Sequence, residues 1–105
     1  MTYAGGNSME AGKITEFIDN LTIQDEMVRY NGNLYYFYGI RFDEERRLYY
    51  TSVDKFRNNI NEFEKEIYRY ESTDMSDCLD HLLEDKYWDG KCFYEVEKFM
   101  KWVDG

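Results

Sequence analysis

The sequence predicts an α+β domain, a three-stranded antiparallel meander packed with an N-terminal helix and three C-terminal helices. Three observations carry that reading. Apolar residues recur at helical spacing near both ends of the chain, two-residue alternation runs through its middle, and Asn31-Gly32 separates two strand-like segments. A chain of 105 residues suffices for one core, because domains commonly run to about 100–150 residues.

The elements follow in order. Residues 1–8 (MTYAGGNS) are small, polar and glycine-rich and read as a disordered leader or an expression remnant, which leaves 9–105 as the domain. Ile14, Phe17, Ile18 and Leu21 mark a short amphipathic helix from about Glu10 to Asn20. Glu26 to Tyr30 is the first strand, and Asn31-Gly32 is a strong hairpin signal because both turn positions need positive φ. Leu34 to Phe42 is a longer, aromatic second strand, with Leu34, Tyr36, Tyr38, Ile40 and Phe42 as the expected core face. Tyr35, Phe37, Gly39 and Arg41 then lie on the outer face. Asp43 to Arg47 is a charged turn before a third strand, Leu48 to Val53.

Beyond Asp54 the pattern turns helical. Phe56, Ile60, Phe63, Ile67 and Tyr70 follow at alternating steps of four and three, an apolar stripe whose first turns are weakened by Asn58, Asn59 and Asn61. Ser72-Thr73-Asp74 ends this helix and caps the next, in which Leu79, Leu82 and Leu83 face inward as far as about Asp85. Trp88-Asp89-Gly90 is a turn. Asp89 is the expected cap of a last helix with Phe93, Val96, Phe99, Met100 and Val103 as its buried stripe.

Charge narrows the function. The net −9 disfavours sequence-independent binding to phosphate backbones or to anionic membranes. No apolar run approaches the roughly 20 residues of a membrane span, and no cleavable signal sequence is visible. Cys78 and Cys92 are too few for a disulfide scaffold, so a reduced, cytoplasmic protein is expected. With His81 they are the only soft metal ligands, and they lack the paired spacing of a zinc site. His81 is also the only histidine, and no nucleophile elbow, phosphate loop or dinucleotide fingerprint accompanies it. The expectation is a non-enzymatic protein without metal or cofactor.

Between Glu62 and Asp85 nine acids stand against two bases, whereas between Met27 and Arg57 six bases stand against four acids. Acidic helices of this kind can imitate phosphate spacing and enter a groove lined with Lys and Arg, although a solvated helical face explains the same acids. The candidate partner-binding residues are Glu62, Glu64, Glu66, Asp74, Asp77, Asp80, Glu84 and Asp85, with Tyr35, Tyr49 and Tyr87 as anchors. Tyrosine suits recognition because it offers stiff, amphipathic area at low entropic cost. Tyr35, Phe37 and Tyr49 are expected to form an exposed patch on the sheet. Two other uses of the tyrosines are a filled aromatic core and base stacking. An assembly protein that self-associates through the tyrosine-rich sheet is the alternative function.

The segments LYYFYGIRFDEERR (34–47) and YESTDMSDCLDHLLEDKYWDGKCFYEVEKF (70–99) resemble, in size, charge and texture, small acidic accessory proteins of bacteriophages and mobile elements in low-GC bacteria. That group includes anti-CRISPR and other anti-defence inhibitors. The resemblance implies a stoichiometric inhibitor, monomeric or homodimeric, that binds a nuclease or another nucleic-acid-binding protein.

Overall fold

The computed structural model describes residues 11–103. Helix α1 (Ala11–Asn20) leads into strands β1 (Glu26–Tyr30), β2 (Asn33–Phe37), β3 (Arg41–Asp43), β4 (Leu48–Phe56) and β5 (Phe63–Ser72). Helix α2 (Met75–Glu84) follows, then the short helix α3 (Phe93–Val96), a 3-10 turn over Glu97–Phe99, and strand β6 (Lys101–Val103). The strands form one antiparallel sheet in the order β5-β4-β2-β1-β6, and β3 pairs with the first half of β4. Among the described residues the protein is mostly sheet, six strands with three helices, and not a three-stranded meander beside four helices.

Three local causes account for the difference. The predicted helix through Phe56 and Tyr70 is instead the end of β4, a hairpin loop and β5. Asn59 drives the turn: its side chain accepts from Asn61 N at 2.9 Å, its carbonyl accepts from Glu62 N at 2.9 Å, and Arg57 N reaches Glu62 O at 3.0 Å. Register shifts between Val53 and Asp54, and between Lys55 and Phe56, leave extra residues in β5, so its two-residue alternation skips and imitates a three-four stripe. The single strand expected over Leu34–Phe42 is broken at Gly39. There φ is +71°, and a Cβ would lie 2.7 Å from Gln24 O and 2.9 Å from Leu21 O, where the segment after α1 crosses.

The third cause lies at the end of the chain. Asp89 is not a cap but a turn residue, φ +54°, in a tight loop closed by reciprocal Trp88–Lys91 backbone bonds. Cys92 begins α3, whose Glu95 carboxylate accepts from Cys92 N at 3.0 Å. The helix stops after four residues because the chain is drawn out to β1, where Trp102 opposes Val28 and donates to the buried Glu26 at 2.7 Å. Val103, expected on a helical stripe, is a strand residue.

The predicted faces of the second strand are reversed for Tyr35 to Tyr38, while Leu34 is buried and Ile40, beyond the break at Gly39, packs against the core as expected. Phe37 is fully buried and Tyr35 nearly so, on the side where Phe17 of α1, Leu21 just after it, Leu82 of α2, and Phe93 and Val96 of α3 pack. Phe17 stacks on Phe93 with centroids 5.5 Å apart and meets Phe37 edge-on at 5.3 Å. Each such side chain contributes about 1.5–3 kcal/mol by leaving water. Among the described residues the helices pack on that face. Tyr36 and Tyr38 lie on the other, with Leu34 and Phe56 paired beside them. Asn31 and Gly32 hold positive φ in the β1–β2 turn, as their sequence requires, and Asp74 caps α2 by accepting from Ser76 N at 2.9 Å. Residues 1–8, expected to be a leader, lie outside the described residues.

Candidate partner-binding surface

The nine acids of the 62–85 stretch separate into two environments. Those in and near β5 are matched. Glu62 accepts from Asn58 N at 3.2 Å in the hairpin, Glu64 lies 3.2 Å from Lys55 Nζ, Glu66 3.2 Å from Arg69 Nε, and Glu71 receives Arg46 Nη1 at 2.8 Å. That hydrogen bond from Arg46 holds the Glu71 carboxyl below its usual range. Glu62, Glu64 and Glu66 therefore sit on a hairpin and a strand, not on the acidic helix expected of them.

Asp74, Asp77, Asp80, Glu84 and Asp85 belong to α2 and its two caps. Among the described residues none of the five lies within ion-pair distance of a Lys or Arg. The 3.6-residue repeat places Asp77, His81 and Asp85 on the side that meets β5. His81 Nδ1 is 3.1 Å from both Asp85 oxygens and its Nε2 is 3.6 Å from Asp77. Its ring stacks on Tyr70 at 4.1 Å, and the Tyr70 hydroxyl donates to Asp77 at 2.8 Å. One layer further, Tyr68 donates to Asp85 at 2.5 Å and stacks on Tyr87 at 4.0 Å.

These contacts set the protonation states. The Asp85 hydrogen bond raises the His81 pKa against the opposing effect of desolvation, and the Tyr70 hydrogen bond lowers that of Asp77. Tyr70, donating to Asp77, is pushed up to about 12, while Tyr68 is raised by burial and by its bond to Asp85. Asp80 and Glu84 are exposed, one helical turn apart, and Tyr94 of α3 is 50% exposed and lies within their field. The Tyr94 pKa is raised by desolvation and then by Glu84 and Asp80. Tyr94 was missing from the sequence-based candidates. Its place directly after the stripe residue Phe93 is the signal that turns it outward.

The three expected tyrosine anchors fare differently. Tyr35 is buried edge-on against Trp88 at 5.0 Å, so it offers no surface. Tyr49 is half-buried against Phe42 at 4.9 Å. Tyr87 is half-buried, stacked on Tyr68, and donates its proton to Leu82 O at 2.7 Å. The exposed Tyr35–Phe37–Tyr49 patch does not exist. Tyr36, Tyr38 and Tyr50 line the uncovered face instead, where polar groups satisfy one another. Tyr36 and Arg41 converge on Asp25, Tyr38 donates to Asp54 at 2.8 Å, and Arg69 lies over the Tyr50 ring at 5.9 Å.

Cys78 is fully buried and Cys92 starts α3, and no metal-holding group of His, Cys, Asp or Glu occurs among the described residues. A cleft of about 320 Å³ lies between Tyr30, Lys55, Lys65, Tyr87 and Trp88, and His81 does not line it. Among the described residues no helix is long and apolar enough to cross a membrane. The chain matches no family model, no curated protein and no solved structure.

Proposed function

We propose that this is a non-enzymatic, cytoplasmic binding protein, without cofactor, that occupies a basic nucleic-acid-binding surface of another protein. A nuclease or nuclease-associated effector of host defence is the expected target, and inhibition by exclusion of nucleic acid the expected effect. One observation carries the reading: the acids of β5 are matched by Lys55, Arg46 and Arg69, while among the described residues the five of α2 and its caps have no Lys or Arg partner. Ten helical residues span about 15 Å, over which these carboxylates present a run of negative charge. Such a run favours fast, salt-sensitive association with a cationic groove. Tyr94, within the field of Asp80 and Glu84, supplies the stiff aromatic contact assigned from sequence to other tyrosines.

A pull-down from nuclease-treated bacterial lysate tests this, with wild type compared with an Asp80→Asn/Glu84→Gln variant at low and high salt. Capture of a basic protein that both salt and the double substitution abolish supports the reading. A captured protein that is not basic, or capture indifferent to salt, overturns the electrostatic part.

A further inference from the structure

Strand β5 has ten residues and, among the described residues, pairs through one edge only, with β4. Such an edge presents unpaired N–H and C=O groups to any other strand, and proteins usually blunt it with proline, charge or bulges, of which β5 has two, opposite Val53–Asp54 and Lys55–Phe56. The chain has no proline, and the charges of β5 are of both signs: Glu64, Lys65, Glu66, Arg69 and Glu71.

Pairing with β4 fixes which way each residue faces. Tyr68 opposes Val53, Tyr70 opposes Thr51 and Lys65 opposes Lys55, so these three share the helix-covered face. Arg69 opposes Ser52 and Glu66 opposes Asp54, so these two share the uncovered face. The register shift at Ile67 brings them to one side, as the 3.2 Å contact between Glu66 and Arg69 also shows. Facing residues in a sheet must lie on the same side, so this asymmetry restricts how β5 can meet itself.

An antiparallel pairing centred between Ile67 and Tyr68 satisfies the restriction. Glu66 then faces Arg69 of a second copy, twice, and Lys65 faces Tyr70. Centring on Tyr68 sets Glu66 against Tyr70 across opposite faces. Centring on Ile67 sets Lys65 against Arg69, across faces and with like charge. Centring on Arg69 sets that guanidinium against its own copy, and centring on Tyr70 sets Arg69 against Glu71 but joins only residues 68–72. Glu64 and Glu71 meet in the register centred between Ile67 and Tyr68, each beside its own cation, Lys55 and Arg46, while Glu66 and Arg69, already 3.2 Å apart within one copy, join their counterparts in a cluster of four alternating charges. Opposite charges across strands stabilise and like charges destabilise.

We propose that β5 pairs antiparallel with β5 of a second copy of this chain, in the register that sets Glu66 opposite Arg69. The contact is independent of the α2 acids, so it extends the binding function without resting on it.

Light scattering of the full chain up to about 200 µM tests the pairing, with hydrogen exchange of residues 64–71 read at the same concentrations. The expected result is a dimer whose β5 amides gain protection as it forms. Arg69→Glu and Glu66→Arg, both at exposed positions, are each expected to raise the dissociation constant about ten-fold or more. The Glu66→Arg/Arg69→Glu double variant is expected to restore it. Circular dichroism checks that every variant is folded. A wild type that stays monomeric overturns the proposal, as does a dimer indifferent to the single substitutions or one that the double variant fails to rescue.

Discussion

His81 joins two properties of α2. It lies between Asp77 and Asp85 and against the Tyr70 ring, with Glu84 adding to the negative field, and its pKa is raised, first by the Asp85 hydrogen bond. A raised folded pKa means that the protonated ring stabilises the fold below the unfolded value, about 6.5, and that this contribution is lost as pH rises through the folded value. The lowered pKa of Asp77 acts in the opposite direction: its contribution is present above the unfolded carboxylate value, about 3.9, and lost as pH falls through the folded one. Melting temperature is therefore expected to be highest between those two limits. An NMR titration of the ring is expected to show a midpoint above about 6.5, moving down in Asp85→Asn. Tyr68→Phe, which removes a half-buried hydroxyl from Asp85, is expected to cost about 1–2 kcal/mol in urea unfolding. Of these contacts only the His81–Asp77–Asp85 spacing was legible in the sequence. The stacking on Tyr70 was not, because it depends on β5 lying beside α2.

Elements were legible where their signals are local. The cap of α2 needs only Asp74 and the next turn, and the β1–β2 hairpin needs only Asn31-Gly32. Asp74→Ala is expected to lower stability by about 1 kcal/mol. Where structure depends on distant partners the sequence misleads. The shifted register of β5 disguises a strand as a helical stripe, β6 has only three residues and forms because β1 has a free edge, and Gly39 divides a strand because the segment after α1 crosses it. Gly39→Ala puts a Cβ into two carbonyls at positive φ. It is expected to cost about 2 kcal/mol or more by thermal or urea unfolding, well beyond Gly32→Ala, whose added Cβ meets nothing within 4 Å.

At the scale of the molecule, the sequence located the excess of acid but could not divide it. Nine acids between Glu62 and Asp85 formed one block on paper. Folding pairs those of β5 with cations from β4, from the turn before it and from β5 itself, whereas among the described residues the α2 acids meet no Lys or Arg, and only Asp77 and Asp85 meet His81. The sheet's tyrosines are spent on the core or on one another's acids, so the predicted division between acidic helices and a binding sheet resolves into one acidic helix with Tyr94 at its flank. Low pH is expected to weaken capture of a basic partner, since a protonated His81 reduces the negative charge of α2 where it meets β5. The most direct measurement is the affinity of the purified basic partner for this protein with and without saturating duplex DNA, at about 50 mM and about 300 mM salt. Occupation of the nucleic-acid surface by α2 means mutually exclusive binding, an affinity that falls with salt, and a further loss of about ten-fold in Asp80→Asn/Glu84→Gln. A ternary complex with DNA, or a double variant that binds like wild type, would contradict it.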